Sequence, residues 1–254
     1  MNKNAIRLSI LAVAVMAFSL NMQAGSLAIL CSEAGDTTCA GAVAAMQATG
    51  RFSSVTGIDT TSSTPTLGSI SGYDSILAGT DYVPFDSTGL GNVLADYYNL
   101  GGKHLTVATY ALSNPWAIGG TLATGGYSAL TNLGINADVS GILVATVPND
   151  PIFAGINLNT LTYFHNLNFA HPGLAPGATL LATDGSGVDM IARSSLGVID
   201  VNLYPGNKGG NNAEFYDLLA NTLGGTSTPE PGTLVMFGSG LVGLAGLLRR
   251  KLKV

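Results

Sequence analysis

"YDSILAGTDYVPFDSTGLGNVLADYYNLGGKHLTVATY", Tyr73 to Tyr110, is the stretch on which the fold turns. It opens on a short run of apolar and small residues, Tyr73 to Gly79, and closes on another, Lys103 to Tyr110. Runs of this length without polar alternation suit strands buried on both faces. The intervening "GLGNVLADYYNLGG" reads as a helix ending at Gly101, because paired glycines cannot continue it cheaply. A strand that returns to its own sheet through a helix makes a parallel pair, so the segment predicts an α/β sheet.

The pattern extends upstream. "SLAIL" (Ser26 to Leu30) reads as a buried strand, "CAGAVAAMQATG" as a small-residue helix stopped by Gly50, and "FSSVTGI" (Phe52 to Ile58) as a second strand. A Ser/Thr/Pro loop leads from there to Tyr73. Downstream the chain is irregular through "ALSNPWAIGGTLATGGYSALTNLGI". Apolar runs then recur at Gly141 to Val147, Ala178 to Ala182, Asp189 to Ala192 and Gly197 to Leu203. The closing helix, Asn212 to Leu223, carries Phe215, Leu218, Leu219 and Leu223 on one face. No linker, charge run or internal repeat divides the roughly 200 residues between the two ends, a length suited to one core.

Those ends are addresses. Lys3 and Arg7 precede the apolar run Leu8 to Leu20, and Ala24, Gly25 and Ser26 follow, the order of a secretory signal peptide that passes through the Sec machinery. Cleavage after Ala24 puts Met22 at the minus-three position; cleavage after Ser26 puts Ala24 there. "LAILC" before Cys31 has Leu30 where a lipoprotein signal has a small residue. At the other end, Pro229, Glu230 and Pro231 keep the chain extended, Leu234 to Leu248 forms an apolar run, and Arg249, Arg250, Lys251 and Lys253 follow at once. As a helix the run rises about 22 Å, short of a hydrocarbon core of about 30 Å. The basic end holds that terminus on the cytoplasmic side.

Pro-Glu-Pro, a glycine-interrupted apolar run and a terminal arginine cluster closely resemble the PEP-CTERM sorting signal of Gram-negative bacteria. The resemblance implies an exosortase as partner, transient residence in the inner membrane, and delivery to the envelope or extracellular matrix. The expected division is 1–24 signal peptide, 25–226 α/β domain and 227–254 sorting signal, with the signal and the tail each contributing an apolar helix.

Without those ends the charge changes. Gly25 to Thr228 keeps Arg51, Lys103, Arg193 and Lys208 against fourteen acids, a net charge of about −10. Such a field repels phosphate backbones and anionic lipid, so no nucleic-acid partner is expected. Neutral glycans or divalent cations fit better. Cys31 and Cys39, closing the short polar segment "CSEAGDTTC" in an exported protein, are expected to form a disulfide.

"YDSILAGTDY", "LADYYNLGGKHLTVATY", "VPNDPIFAGI" and the final "FYDLLANTL" resemble the flavodoxin-like domains related to ThuA and class I glutamine amidotransferases. That implies one domain with a mostly parallel sheet flanked by helices. Here Asp150 stands where the group has a histidine before Pro151 and Ile152. The amidotransferase nucleophile is a cysteine at a strand-to-helix elbow, and "TVATYALSN" has none. "DGSGVD" has Asp184 in place of the first glycine of a serine elbow. Asp184, Ser186 and Asp189 are oxygen-bearing candidates for calcium, at a spacing that suits a turn better than an EF-hand loop.

Open parallel sheets bind ligands outside the carboxyl ends of their strands, where this chain places Glu33, Thr80, Asp81, Tyr110, Asn114 and Trp116. "YFHNLNFAHPG" adds His165, Asn166, Asn168 and His171. An indole and planar amides suit sugar faces and hydroxyls. The expectation is a non-catalytic binding or structural component without a cofactor, its partner extracellular polysaccharide of a biofilm matrix. Two alternatives stand beside it. One is a ThuA-like carbohydrate hydrolase pairing His165 or His171 with Glu33 or Asp81. The other is a matrix protein that uses calcium to bridge exopolysaccharide.

Overall fold

The computed structural model describes residues 24–225, apart from 34, 36–38, 132–135, 138, 166–167, 170–171 and 207–208. The expected signal helix and the tail, including Pro229, Glu230, Pro231, Arg249 and Arg250, lie outside the described residues. Among the described residues no helix is long and apolar enough to cross a membrane.

The chain alternates strand and helix to Ala108: β1 (Ala24–Ser32), α1 (Ala40–Ala48), β2 (Phe52–Asp59), the short α2 (Leu67–Ile70), β3 (Ser75–Thr80), α3 (Ser87–Asn99) and β4 (His104–Ala108). The expected strands and helices therefore form, and α2 interrupts the stretch read as a loop. Beyond β4 the elements are shorter. They are α4 (Gly120–Thr124), β5 (Leu130–Thr131), β6 (Asn136–Ala137), β7 (Leu143–Ala145), a 3-10 turn at Pro151–Phe153, β8 (Asn168–Phe169) and β9 (Gly173–Leu174). Three consecutive strands, β10 (Thr179–Asp184), β11 (Asp189–Arg193) and β12 (Ile199–Val201), precede the closing helix α5 (Ala213–Thr222).

Eight strands form one sheet in the order β2-β1-β3-β4-β12-β11-β10-β7. From β2 to β12 every pairing is parallel, and from β12 to β7 every pairing is antiparallel. The fold is thus α/β with a mixed, mostly parallel sheet. The later apolar runs form strands as their composition suggests, but three of them turn straight back on each other, because an apolar run does not encode the direction of its partner.

Strand periodicity divides the central side chains between two layers. Leu27, Ile29 and Leu77 face a core shared with Met46 of α1 and Phe215, Leu218 and Leu219 of α5. Ala28, Leu30, Ile76 and Ala78 face the opposite core, with Leu90, Leu94 and Tyr97 of α3. Each fully buried leucine contributes roughly 1.5–3 kcal/mol. The expected disulfide joins Cys31, in β1, to Cys39, just before α1, with Cα atoms 5.9 Å apart. Chain order reverses between β1 and β3, which sends the neighbouring loops apart and opens a crevice at their carboxyl ends.

Candidate functional site

Glu33 follows β1 and Asp81 follows β3, so the two carboxylates flank the point where chain order reverses. The backbone N–H of Asp81 donates to the Ser32 carbonyl at 2.7 Å, fixing the start of its loop to β1. Tyr204, three residues beyond β12, donates its hydroxyl to Glu33 Oε1 at 2.5 Å. Burial, then this carboxylate and the Asp81 charge, push the Tyr204 phenol far above its ordinary value, so it remains a donor. Tyr110 is pushed up in the same direction by burial and by Asp81.

Around this pair runs a row of rings. Trp116 lies 5.5 Å from Tyr110, Tyr110 lies 5.9 Å from Tyr204, and Tyr204 lies 6.1 Å from Phe164, centroid to centroid. Tyr110 and Tyr204 are buried, while Trp116 and Phe164 are half-buried. Thr80 Oγ1 donates to the Trp116 carbonyl at 2.9 Å, tying the tryptophan loop to the end of β3. Asn114, in the same loop, is exposed. Beneath the row, a cavity lined by Glu33, Cys39, Thr80, Thr109, Tyr204 and Pro205 has a volume of only about 10 Å³. That is about the space one water needs.

The histidine segment reaches this end through Phe164. The exposed His165 turns elsewhere, edge-on to the Tyr163 ring at 6.3 Å. It covers Gly141, whose φ of +72° and closeness to the imidazole both exclude a side chain there. No hydrogen bond or ion pair joins His165 to Glu33 or Asp81 among the described residues. His171 and Asn166 lie outside the described residues, and of Asn168 only the backbone, in β8, is described.

Asp184 is a hub. Its carboxylate accepts from the N–H groups of Ser140, Ser186 and Val188 at 2.7–2.9 Å and from the Ser186 hydroxyl. Burial opposes the charge, but those donors outweigh it and hold the carboxyl below the ordinary range. Donors aimed at a carboxylate are the wiring of a turn, and Asp189 stands apart with its carboxyl pushed up by burial. Among the described residues no cluster of three His, Cys, Asp or Glu is placed to hold a metal ion. Asp150, at the position of the group's histidine, caps the 3-10 turn and takes both Arg193 nitrogens at 2.7 and 2.8 Å. The Arg193 guanidinium holds its carboxyl below the ordinary range.

Sequence reasoning missed Tyr204, Phe164 and Asp200. Tyr204 stands just past the apolar run Gly197 to Leu203, so the strand-end rule that found Tyr110 applies to it equally. Asp200 is the only charge in that run, which is itself a signal. It is fully buried in β12; Oδ2 accepts the N–H groups of Ala129 and Leu130 at 2.7 and 3.0 Å, and Oδ1 has no partner among the described residues. Burial outweighs those two donors and pushes its carboxyl up to about 7. Roomier cavities lie elsewhere, about 340 Å³ between α1 and α5 and about 300 Å³ by His104 and Arg193 at the amino end of β4.

Residues 227–251 match the PEP-CTERM protein-sorting motif. The chain is accordingly an exported protein whose C-terminus is read by an exosortase and anchored transiently in the membrane. No curated protein sequence matches the chain. Among solved structures it is similar to a ThuA-like protein from Bacteroides uniformis, with 10% identity and a TM-score of 0.49 over 78% of this chain and 89% of that one. It is also similar to SMU.1228c, with 14% identity and a TM-score of 0.43 over 71% of this chain and 76% of that one.

Proposed function

We propose that the exported domain is a non-catalytic binding component of the cell envelope or extracellular matrix, holding glycan across the carboxyl ends of its strands. The observation that carries this reading is the row of rings at the carboxyl ends of the strands. Among the described residues Tyr204 bonds Glu33 there beside a cavity of about 10 Å³, too small for a sugar ring, which can lie on the rings themselves. Trp116 is half-buried, held from below by Tyr110 and by the Thr80 bond, so its remaining face is presented by a fixed backbone. Little side-chain entropy remains to be lost when a ring stacks there.

Retention of the exported protein on matrix polysaccharide tests the reading. Trp116→Ala is expected to reduce retention at least several-fold, and chelator is expected to leave it unchanged. Release by chelator with Trp116→Ala still retained overturns it in favour of calcium bridging. Product release from a carbohydrate, abolished in a folded His165→Ala variant, overturns it in favour of hydrolysis.

A further inference from the structure

The cavity of about 300 Å³ stands at the amino ends of β4 and β12, the opposite strand ends from the ring row. Its volume is at the lower end of the range that holds small ligands. Part of its lining is apolar: Leu105 of β4, Ile199 of β12 and Ile152 of the 3-10 turn. Two glycines of the lining seat its polar rings. Gly197 has a φ of +101°, and a Cβ there would meet the Tyr98 hydroxyl at 2.6 Å. Gly224 has a φ of +71°, and a Cβ there would run into the His104 imidazole. Any side chain at either place would displace the ring beside it.

Charge sets this cavity apart. The Lys, Arg and His side chains among the described residues are Arg51, Lys103, His104, His165 and Arg193, and Lys103, His104 and Arg193 all line it. No Asp or Glu is among its lining residues, in a domain whose net charge is about −10. The two acids that act on these cations stand outside the lining. Asp150, buried, takes one bond each from Arg193 Nη1 and Nη2 and so fixes the guanidinium, whose other N–H groups have no partner among the described residues. Asp74, whose charge reaches Lys103, accepts the Ser26 N–H and hydroxyl at 2.7 and 3.0 Å. Lys103 Nζ is steadied by the Ser71 and Tyr73 carbonyls at 3.0 and 2.7 Å, over the Tyr97 ring. The His104 ring makes no hydrogen bond or ion pair among the described residues. A group entering the cavity therefore meets fixed cations and their free donors without meeting a carboxylate, which suits an oxyanion. The apolar side chains beside them suit the carbon body that carries it.

We propose that this cavity binds a small organic oxyanion, a carboxylate or phosphate carried on a body about the size of one sugar ring, with Arg193, His104 and Lys103 on its charge. The site is separate from the Trp116 platform and does not depend on that reading.

The exported protein is titrated calorimetrically with glucuronate, glucose 6-phosphate, inorganic phosphate and glucose. At least one of the two charged sugars is expected to bind tenfold or more tightly than glucose and to weaken as salt rises. The tighter of the two identifies the oxyanion as carboxylate or phosphate. Arg193→Lys keeps a positive charge against Asp150 and gives up the planar fork, and is expected to remove at least tenfold of the affinity. His104→Gln alters an exposed ring that bonds to nothing described, and is expected to lower the affinity severalfold at an unchanged melting temperature. It tests the site even where Arg193→Lys shifts stability. Charged sugars that bind no more tightly than glucose, or either variant binding as the wild type does, would overturn the proposal. Inorganic phosphate that binds as tightly as the better charged sugar would overturn it too, since the apolar lining would then hold nothing.

Discussion

The two halves of the sheet are held together by different means. From β2 to β4 each strand is separated from the next by a helix, and both faces are closed by apolar side chains of α1, α3 and α5. From β10 to β12 successive strands turn back directly, and the face bearing Ala192 is covered by the Trp116 loop, β5 and Phe164. That cover is wired by polar side chains. Asp200 holds the β5 backbone, Asp184 holds the Ser140 turn, and Asn211 reaches Phe164, Tyr204 and Gly206. A helix satisfies its own backbone, whereas a loop laid over a sheet needs side chains to do it. The ring row stands where the two regimes meet, at the carboxyl ends of β1, β3, β4 and β12.

The largest expected difference is in the cost of a cavity. Leu77 is fully buried in the middle of β3, between neighbours that regular elements hold in place. Leu77→Ala is expected to cost about 4 kcal/mol, near the upper part of the range for such truncations. Leu130 is almost as buried, yet it sits in a two-residue strand whose surroundings can collapse. Leu130→Ala is expected to cost about 2 kcal/mol by the same rule. Denaturant unfolding of the two variants checks this, and equal losses would erase the distinction between rigid and compliant cover.

A second difference is in pH. Asp200 has its folded carboxyl pushed up to about 7 by burial, while the unfolded chain keeps the ordinary value near 4. The folded state therefore holds a proton that the unfolded state has released, and stability falls as pH rises from about 4 to about 7. The loss is on the order of 2–4 kcal/mol. Asp189, pushed up by burial, acts in the same direction. Asp150 and Asp184, held below the ordinary range, stabilise at higher pH and lose that contribution only as pH falls below about 4, outside this window. Urea midpoints at pH 4.5 and 8 should differ for the wild type and converge for Asp200→Asn. An unchanged slope in that variant would show that the β5 latch is not the titrating group.

How far the sequence could be read follows the same division. Tyr73 to Tyr110 announces its strands and helix because apolar runs and glycine stops are local signals, and the Cys31–Cys39 bridge follows from export and nearness in the chain. Asp200 is visible as an acid in an apolar run, but its partners Ala129 and Leu130 lie about 70 residues away and carry no mark of the contact. Trp116 stands by the end of β3, where Thr80 reaches its carbonyl. Nothing in "YFHN" shows that Phe164, and not His165 beside it, is the side chain that turns toward Tyr204.

The finest contrast is between two helix caps. Asp86 accepts the Gly89 N–H and does little more, so Asp86→Asn keeps the cap and should shift stability by less than about 0.5 kcal/mol. Asn212 caps α5 by accepting the Phe215 N–H at 3.1 Å, and it also accepts the Thr162 N–H and donates to the Thr160 carbonyl at 2.8 Å. Asn212→Asp keeps both acceptor roles and improves the charge at the helix N-terminus by a few tenths of a kcal/mol. It also removes the donor and sets a carboxylate against the Thr160 carbonyl, at a cost of about 1–2 kcal/mol. The net expectation is a loss of about 1 kcal/mol, with faster amide exchange at Thr162 and Phe164 while α5 itself stays protected. If exchange quickens along α5 instead, the residue is an ordinary cap and the loop cover is held by something else. If only the loop responds, the Asn212 amide works beside the Asn211 bond to Phe164 and the Asn212 N–H bond to the Thr162 carbonyl in tying the Phe164 end of the ring row to the helix behind it.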